Sequence, residues 1–166
     1  GEVLNEYKNS KSKGLNDVTV ADDGSVFISD SDGNCIFKIE NGSMNVFVED
    51  DRIRGMNGIY AEGDLLYVGG SNNFFTVNQK NKEIEVIAEE VGYLDGIEKV
   101  AEGVFATSDW QGQVYLIEPG KGTEKILDTT PKEINAADLG FIPDNNLLLV
   151  PTFNNNKVIA YQLDMN

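Results

Sequence analysis

Four positions about forty residues apart carry a side-chain amide or carboxylate directly behind an apolar residue. They are Asn16 in Leu15-Asn16-Asp17, Asn57 in Met56-Asn57-Gly58, Asp95 in Leu94-Asp95-Gly96 and Asn135 in Ile134-Asn135-Ala136. The separations are 41, 38 and 40 residues. Amide carbonyls beside a carboxylate suit a hard divalent cation, calcium above all, which takes roughly six to eight oxygens and lets water fill what the protein leaves. Asn16, Asn57 and Asp95 would supply three protein oxygens, and a tight site would ask for a second carboxylate beside Asp95. The competing reading is local: Asn and Asp at the start of a strand often bond only to neighbouring backbone.

Other chemistries are closed by composition. The 166 residues contain no histidine and one cysteine, Cys35, so Ser-His-Asp and Cys-His catalysis, histidine-held zinc and an internal disulfide are all excluded. Cys35 sits in an apolar strand pattern and reads as a small core residue. The net charge of −15 argues against nucleic acid and anionic membrane partners. No apolar run is long enough for a membrane helix, and no signal peptide is visible. The chain opens at Gly1 without Met, in text that already reads as strand, so a processed or truncated start is expected.

The elements that must position the four residues follow from the text between them. A period near forty filled with strand-like segments predicts an all-β propeller, a single domain over 1–166 with blades starting near residues 15, 56, 94 and 134 and with 1–14 as an outer strand and linker. In the first blade, strands are expected over 17–21, 25–29, 34–39 and 43–48, separated by Asp22-Asp23-Gly24, Asp30 to Gly33 and Asn41-Gly42; Asp-Gly and Asn-Gly between alternating apolar residues are hairpin signals. The second and third blades repeat the plan, with loops at 69–73 and 108–112. The fourth has three strands, at 136–142, 147–150 and 157–163. A lone strand is expected at 2–8, and by counting it could complete the fourth blade at 157–163 and close a four-bladed ring. No segment shows sustained helical periodicity.

Because strands in a blade alternate in direction, the start of strand one and the loop between strands two and three lie at one end of the channel. That end collects the four oxygen-bearing residues, and it also collects Trp110 and Phe153. The two aromatics either wall a ligand pocket with Asn135 or pack between adjacent blades. Asp30-Ser31-Asp32-Gly33-Asn34 is a hairpin turn and not a calcium loop, since Cys35 and Asn41 stand where such a loop needs Gly and Glu.

These residues together resemble the senescence marker protein, gluconolactonase and luciferin-regenerating enzyme family. The likeness rests on Leu15-Asn16-Asp17, on Met56-Asn57-Gly58 followed by Leu66-Tyr67-Val68, and on Leu94-Asp95-Gly96 followed by Ser108-Asp109-Trp110. The resemblance implies a six-bladed propeller with a divalent metal at the channel mouth, often calcium. Its ligands would be Asn16, Asn57 and Asp95, together with a glutamate that no residue here matches. It also implies that about two blades lie upstream of Gly1, so that 2–8 belongs to an upstream blade and does not pair with 157–163. The implied activity, expected of the intact protein, is metal-dependent hydrolysis of a sugar lactone or related ester with Asp95 as the proton-transfer residue. The alternative is a non-catalytic propeller that binds a glycan, peptide or protein on the same face. A periplasmic or secreted location and self-association through an open blade edge complete the expectations.

Overall fold

The structure, a computed structural model, describes residues 1–164. The first blade is four antiparallel strands in sequence order: β1 (Leu15–Val20), β2 (Val26–Asp30), β3 (Cys35–Glu40) and β4 (Ser43–Glu49). Its turns use the residues that the turn chemistry demands. Asn41 and Gly42 both take positive φ, 50° and 75°, which gives the two-residue hairpin between Glu40 and Ser43 a twist matching its strands. β5 (Ile59–Glu62), β6 (Leu65–Gly69), β7 (Ser71–Asn78) and the first half of β8 (Ile84–Ala101) form the second blade. The second half of β8 begins the third, followed by β9 (Val104–Asp109), β10 (Gln113–Glu118) and β11 (Gly122–Asp128). β8 changes partner near Glu90 and Gly92, which take φ of 60° and 77°, so one strand serves as the rim of one blade and the inner strand of the next. The fourth blade is β12 (Gly140–Ile142), β13 (Leu147–Pro151) and β14 (Val158–Gln162).

Every ladder is antiparallel and joins consecutive strands, and the blades pack face to face as a β-propeller. Phe27, Ile36 and Phe47 of the first blade bury against Met56, Leu66 and Phe75 of the second. Phe74 and Val91 of the second meet Ile97, Phe105 and Ile117 of the third. Ala106 and Val114 of the third meet Leu148 and Val150 of the fourth. The period-two alternation of each strand supplies the two apolar faces that stacking requires.

Three expectations are corrected. Residues 2–8 join no sheet: Val3 and Leu4 are 82% and 81% exposed, so nothing buries the side chains that would hold a strand. Accordingly, no ladder connects 2–8 to β14. The inner strand of the fourth blade is only three residues, because 134–139 is held by single contacts, such as Ala137 N–H to the Pro151 carbonyl at 3.0 Å, instead of a ladder. The loop expected at 69–73 shrinks to Gly70, with β7 starting at Ser71.

Neighbouring blades are stitched by buried serines. Ser29 Oγ accepts from Asp17 N–H (2.9 Å) within the first blade and donates to the Asn57 carbonyl (2.6 Å) of the second. Ser108 Oγ repeats this, accepting from Gly96 N–H (2.8 Å) and donating to the Ala137 carbonyl (2.6 Å) of the fourth blade. Both serines are fully buried. Each hydroxyl is followed by a buried carboxylate. Asp30 takes N–H bonds from Lys13, Gly14 and Gly33, each at 2.8 Å, and Asp109 takes one from Tyr93 at 2.8 Å. Ser108→Ala leaves a donor and an acceptor without partners in a dry interface, and is expected to lower unfolding free energy by about 1–3 kcal/mol. The exposed Ser43→Ala is expected to stay within about 0.5 kcal/mol. Urea titration with an unchanged denaturant slope checks both.

Candidate functional site

The mouth of the channel is built where the inner strands come closest. Gly58 follows Asn57 because a Cβ there would fall on the Asp95 carbonyl oxygen of the next inner strand. Gly96 follows Asp95 for the same reason: its Cβ would lie 2.5 Å from Leu139 N and 2.8 Å from Asp138 Oδ1. The Asn-Gly and Asp-Gly phrases are therefore close-approach positions at the narrow end of wedge-shaped blades.

That approach brings Asn57 and Asp95 together, with Asn57 Nδ2 donating to Asp95 Oδ1 at 2.5 Å. The other two echo residues each bond to a loop group. Asn16 is exposed and its amide donates to Ser31 Oγ at 3.0 Å. Asn135 donates to the Trp110 carbonyl at 3.0 Å, and its Oδ1 is buried without a partner. Trp110 and Phe153 lie with ring centroids 5.1 Å apart at 58°, and Phe153 is 65% exposed. Of the four residues expected at the mouth, Asn57 and Asp95 bond to each other, Asn135 bonds to the Trp110 loop, and Asn16 bonds to Ser31, whose hydroxyl donates to the Met56 carbonyl beside Asn57 at 2.5 Å.

Four carboxylates in this region act on one another through their charge. Asp17 Oδ2 accepts from Ile59 N–H at 2.9 Å, and so binds the first blade to the second beside Asn57. Burial raises Asp17 above the usual carboxylate range despite its bonds to Ile59 and Val18, and the charge of Asp138 adds to the shift. Asp95 is pushed up to about 6, by burial first and then by Asp138, with Asn57 opposing and Asp17 adding. Glu98 is raised by burial and by the charges of Asp138 and Asp17. Asp17, Asp95, Glu98 and Asp138 therefore share one field from three blades. Among the described residues no ion pair includes any of them.

Asp17, Glu98 and Asp138 were not singled out by spacing. A signal existed: Glu98 and Asp138 each stand three residues after an echo residue, Asp95 and Asn135. The stitching pairs Ser29-Asp30 and Ser108-Asp109 likewise recur 79 residues apart, two periods.

In kind, the donors at the mouth fit a hard divalent cation, because they are amide and carboxylate oxygens with uncompensated charge. Asp95 and Asn57 are the two that adjoin. Among the described residues no three acidic, histidine or cysteine side chains stand close enough to hold a metal by themselves.

Neither a protein-family model nor a curated protein sequence matches the chain. Solved structures do. Virginiamycin B lyase from Staphylococcus aureus, in a catalytically inactive form with quinupristin, is 17% identical with a TM-score of 0.78, covering 95% of this chain and 55% of its own. The structure of a nidogen/laminin complex gives 13% identity and 0.78 over 94% and 62%. YCF48 bound to D1 peptide gives 12% and 0.69 over 90% and 51%. The chain is a β-propeller. It spans little more than half the length of these neighbours, and at such identities the likeness is one of fold.

The raised carboxyl at Asp95 has a stability consequence. The unfolded side chain holds its proton only below about pH 3.9. The folded one holds it up to about pH 6, so stability falls as pH climbs between those values. Asp95→Asn keeps an oxygen for Asn57 and cannot ionise. It is expected to be more stable than the parent at pH 7.5, by on the order of 1–2 kcal/mol once solvent screening is allowed for. The difference should vanish at pH 4, as read by thermal melts at the two pH values.

Proposed function

We propose that the channel mouth is the ligand site of this propeller and that the ligand is a small ester, a sugar lactone or a relative, which the site hydrolyses. The observation that carries this is the carboxyl of Asp95, bonded by the Asn57 amide and held near pH 6 by burial and by the charges of Asp138 and Asp17, with no ion pair to it among the described residues. A group poised near neutral pH moves protons efficiently in both directions. Asp95 Oδ1 takes the Asn57 amide, which leaves Oδ2 to accept a proton from a water attacking the ester carbonyl. As the new carbon–oxygen bond forms and the ester bond breaks, the same oxygen returns that proton to the departing alkoxide. Asn57 fixes the carboxylate plane, and Asp138 and Asp17 set the affinity for the proton. A divalent cation, calcium in the first instance, held by Asp95 and Asn57, would supply carbonyl polarisation and lower the pKa of bound water. The resemblance to lactonases in Met56-Asn57-Gly58 and Leu94-Asp95-Gly96 supports the same assignment.

A second reading is supported by a different observation. The half-buried Trp110 and exposed Phe153 pack together, with the Trp110 carbonyl tied to Asn135, and offer an aromatic platform without chemistry. Propeller neighbours seen with a peptide and with a protein partner are consistent with binding alone. Hydrolysis of a panel of aldonolactones, with calcium and after chelation, separates the two. The expected outcome is turnover that rises with pH through about 6 and falls by roughly 100- to 10,000-fold in Asp95→Asn. Saturable lactone binding without turnover, weakened by Phe153→Ala and indifferent to Asp95→Asn, would replace the first reading by the second.

A further inference from the structure

The link between the first and second blades, residues 50–58, contains two arginines. Arg52 is used locally: its guanidinium takes both oxygens of Asp50, Nε to Oδ1 at 2.9 Å and Nη2 to Oδ2 at 2.8 Å. Arg54 is exposed, and among the described residues no ion pair includes it. Its charge stays free in a chain with 28 acidic and 13 basic side chains.

Two hydroxyls stand against the residue that follows it. Gly55 takes φ of 61°, and a Cβ there would fall on Ser71 Oγ and lie 3.1 Å from the Tyr93 hydroxyl. The missing side chain therefore lets both oxygens come up to the backbone beside Arg54. Their places are fixed by the ladder, since Ser71 and Tyr93 are partners in the pairing of β7 with β8. Ser71 N–H also donates to the Arg54 carbonyl at 3.4 Å. Both side chains are exposed, Tyr93 at 43%.

This group adjoins the residues of the mouth. Arg54 stands three residues before Asn57 and Tyr93 two before Asp95. Those separations span at most about 11 and 7 Å of chain. Asn57 N–H donates to the Gly69 carbonyl at 2.8 Å, which brings the turn ahead of Ser71 against the same inner strand.

We infer, on the reading that the mouth is the ligand site, that Arg54 with the hydroxyls of Ser71 and Tyr93 holds a carboxylate of the ligand. The lactone taken is then one that carries a free acid group. A guanidinium offers two parallel N–H donors to a carboxylate, and hydroxyls beside it donate to the same oxygens. Asp17, Asp95, Glu98 and Asp138 repel such a group, so it settles at the arginine while the ester end turns toward Asp95. Opposite charges at the two ends of the site thereby set which way round the ligand lies.

Glucaro-1,4-lactone carries a free carboxylate, and glucono-1,4-lactone is its neutral counterpart. Dissociation constants for both, by titration calorimetry at pH 7 and about 0.15 M salt, give the preference for the acid form as a ratio; KM values give it where a lactone is turned over. The parent is expected to prefer the carboxylate-bearing lactone by about 10-fold. In Arg54→Gln the ratio is expected to fall to near unity, and in Arg54→Lys part of the way, since an ammonium lacks the planar fork. Tyr93→Phe keeps the ring and is expected to lower it by about two- to threefold. Each ratio is taken on one protein sample, so a partly unfolded variant does not alter it. A parent without the preference overturns the inference, as does a preference that survives Arg54→Gln. Preferred binding of the acid form that is lost in Arg54→Gln, without turnover, would uphold this subsite and remove the hydrolysis. Turnover of both lactones without preference would do the reverse, and binding of neither would overturn both.

Discussion

The interior of this molecule is governed by how closely adjacent inner strands must approach at the axis. Wedge-shaped blades leave no room for side chains between those strands, so the chain places Gly58 and Gly96 there. It replaces side-chain packing with direct polar contact between backbones. Ser29 and Ser108 each close the distance with one oxygen that serves two blades. Between the second blade's own inner strands no serine is needed, because Gly69 and the Asn57–Gly58 segment exchange backbone bonds at 2.8 and 2.9 Å. The apolar clusters further out supply most of the burial energy, but their register depends on this narrow end being satisfied.

The same constraint makes the site. Where inner strands crowd, Asp17, Asp95, Glu98 and Asp138 stand near enough to feel one another's charge. Burial and mutual repulsion then act together, which is why Asp17, Asp95 and Glu98 are raised. By contrast, Asp50 and Asp128, out on the surface beside Arg52 and Lys125, drop to about 2. One residue type is pushed in opposite directions by place alone.

Much of this was legible in the sequence, for physical reasons that differ by element. Hairpins were readable because Asn41-Gly42 and Asp23-Gly24 specify turn conformation locally, and blade order followed from the forty-residue period. The pairing of Asn57 with Asp95 was also readable, since both begin inner strands of neighbouring blades. The partner of Asn16 was not: Ser31, a loop residue that also bonds the Met56 carbonyl, takes the amide, and nothing in the spacing marks that serine. Residues 2–8 looked like a strand because alternation tests only whether a segment could form one; whether an edge stands within reach is a tertiary question. The buried Asp30 hid within a turn motif, since a carboxylate that organises N–H groups from residues 13, 14 and 33 has the same local spelling as one that faces water.

Stability and binding at the mouth are opposed, and the opposition has a direction. An ionised Asp95 in that field weakens the folded state, while a bound cation or a developing positive charge would be favoured by the same field. Removing the charge stabilises the empty protein and removes the attraction, as expected where a site keeps strain that its ligand relieves. The stitching network bears the load. Ser29 donates to Asn57, Asn57 to Asp95, and Gly96 to Ser108, which in turn donates to Ala137, one residue before Asp138. A run of polar contacts therefore passes from the first blade to the fourth by way of Asp95. The raised carboxyl of Asp95 is thus also a link in the polar contacts between neighbouring blades.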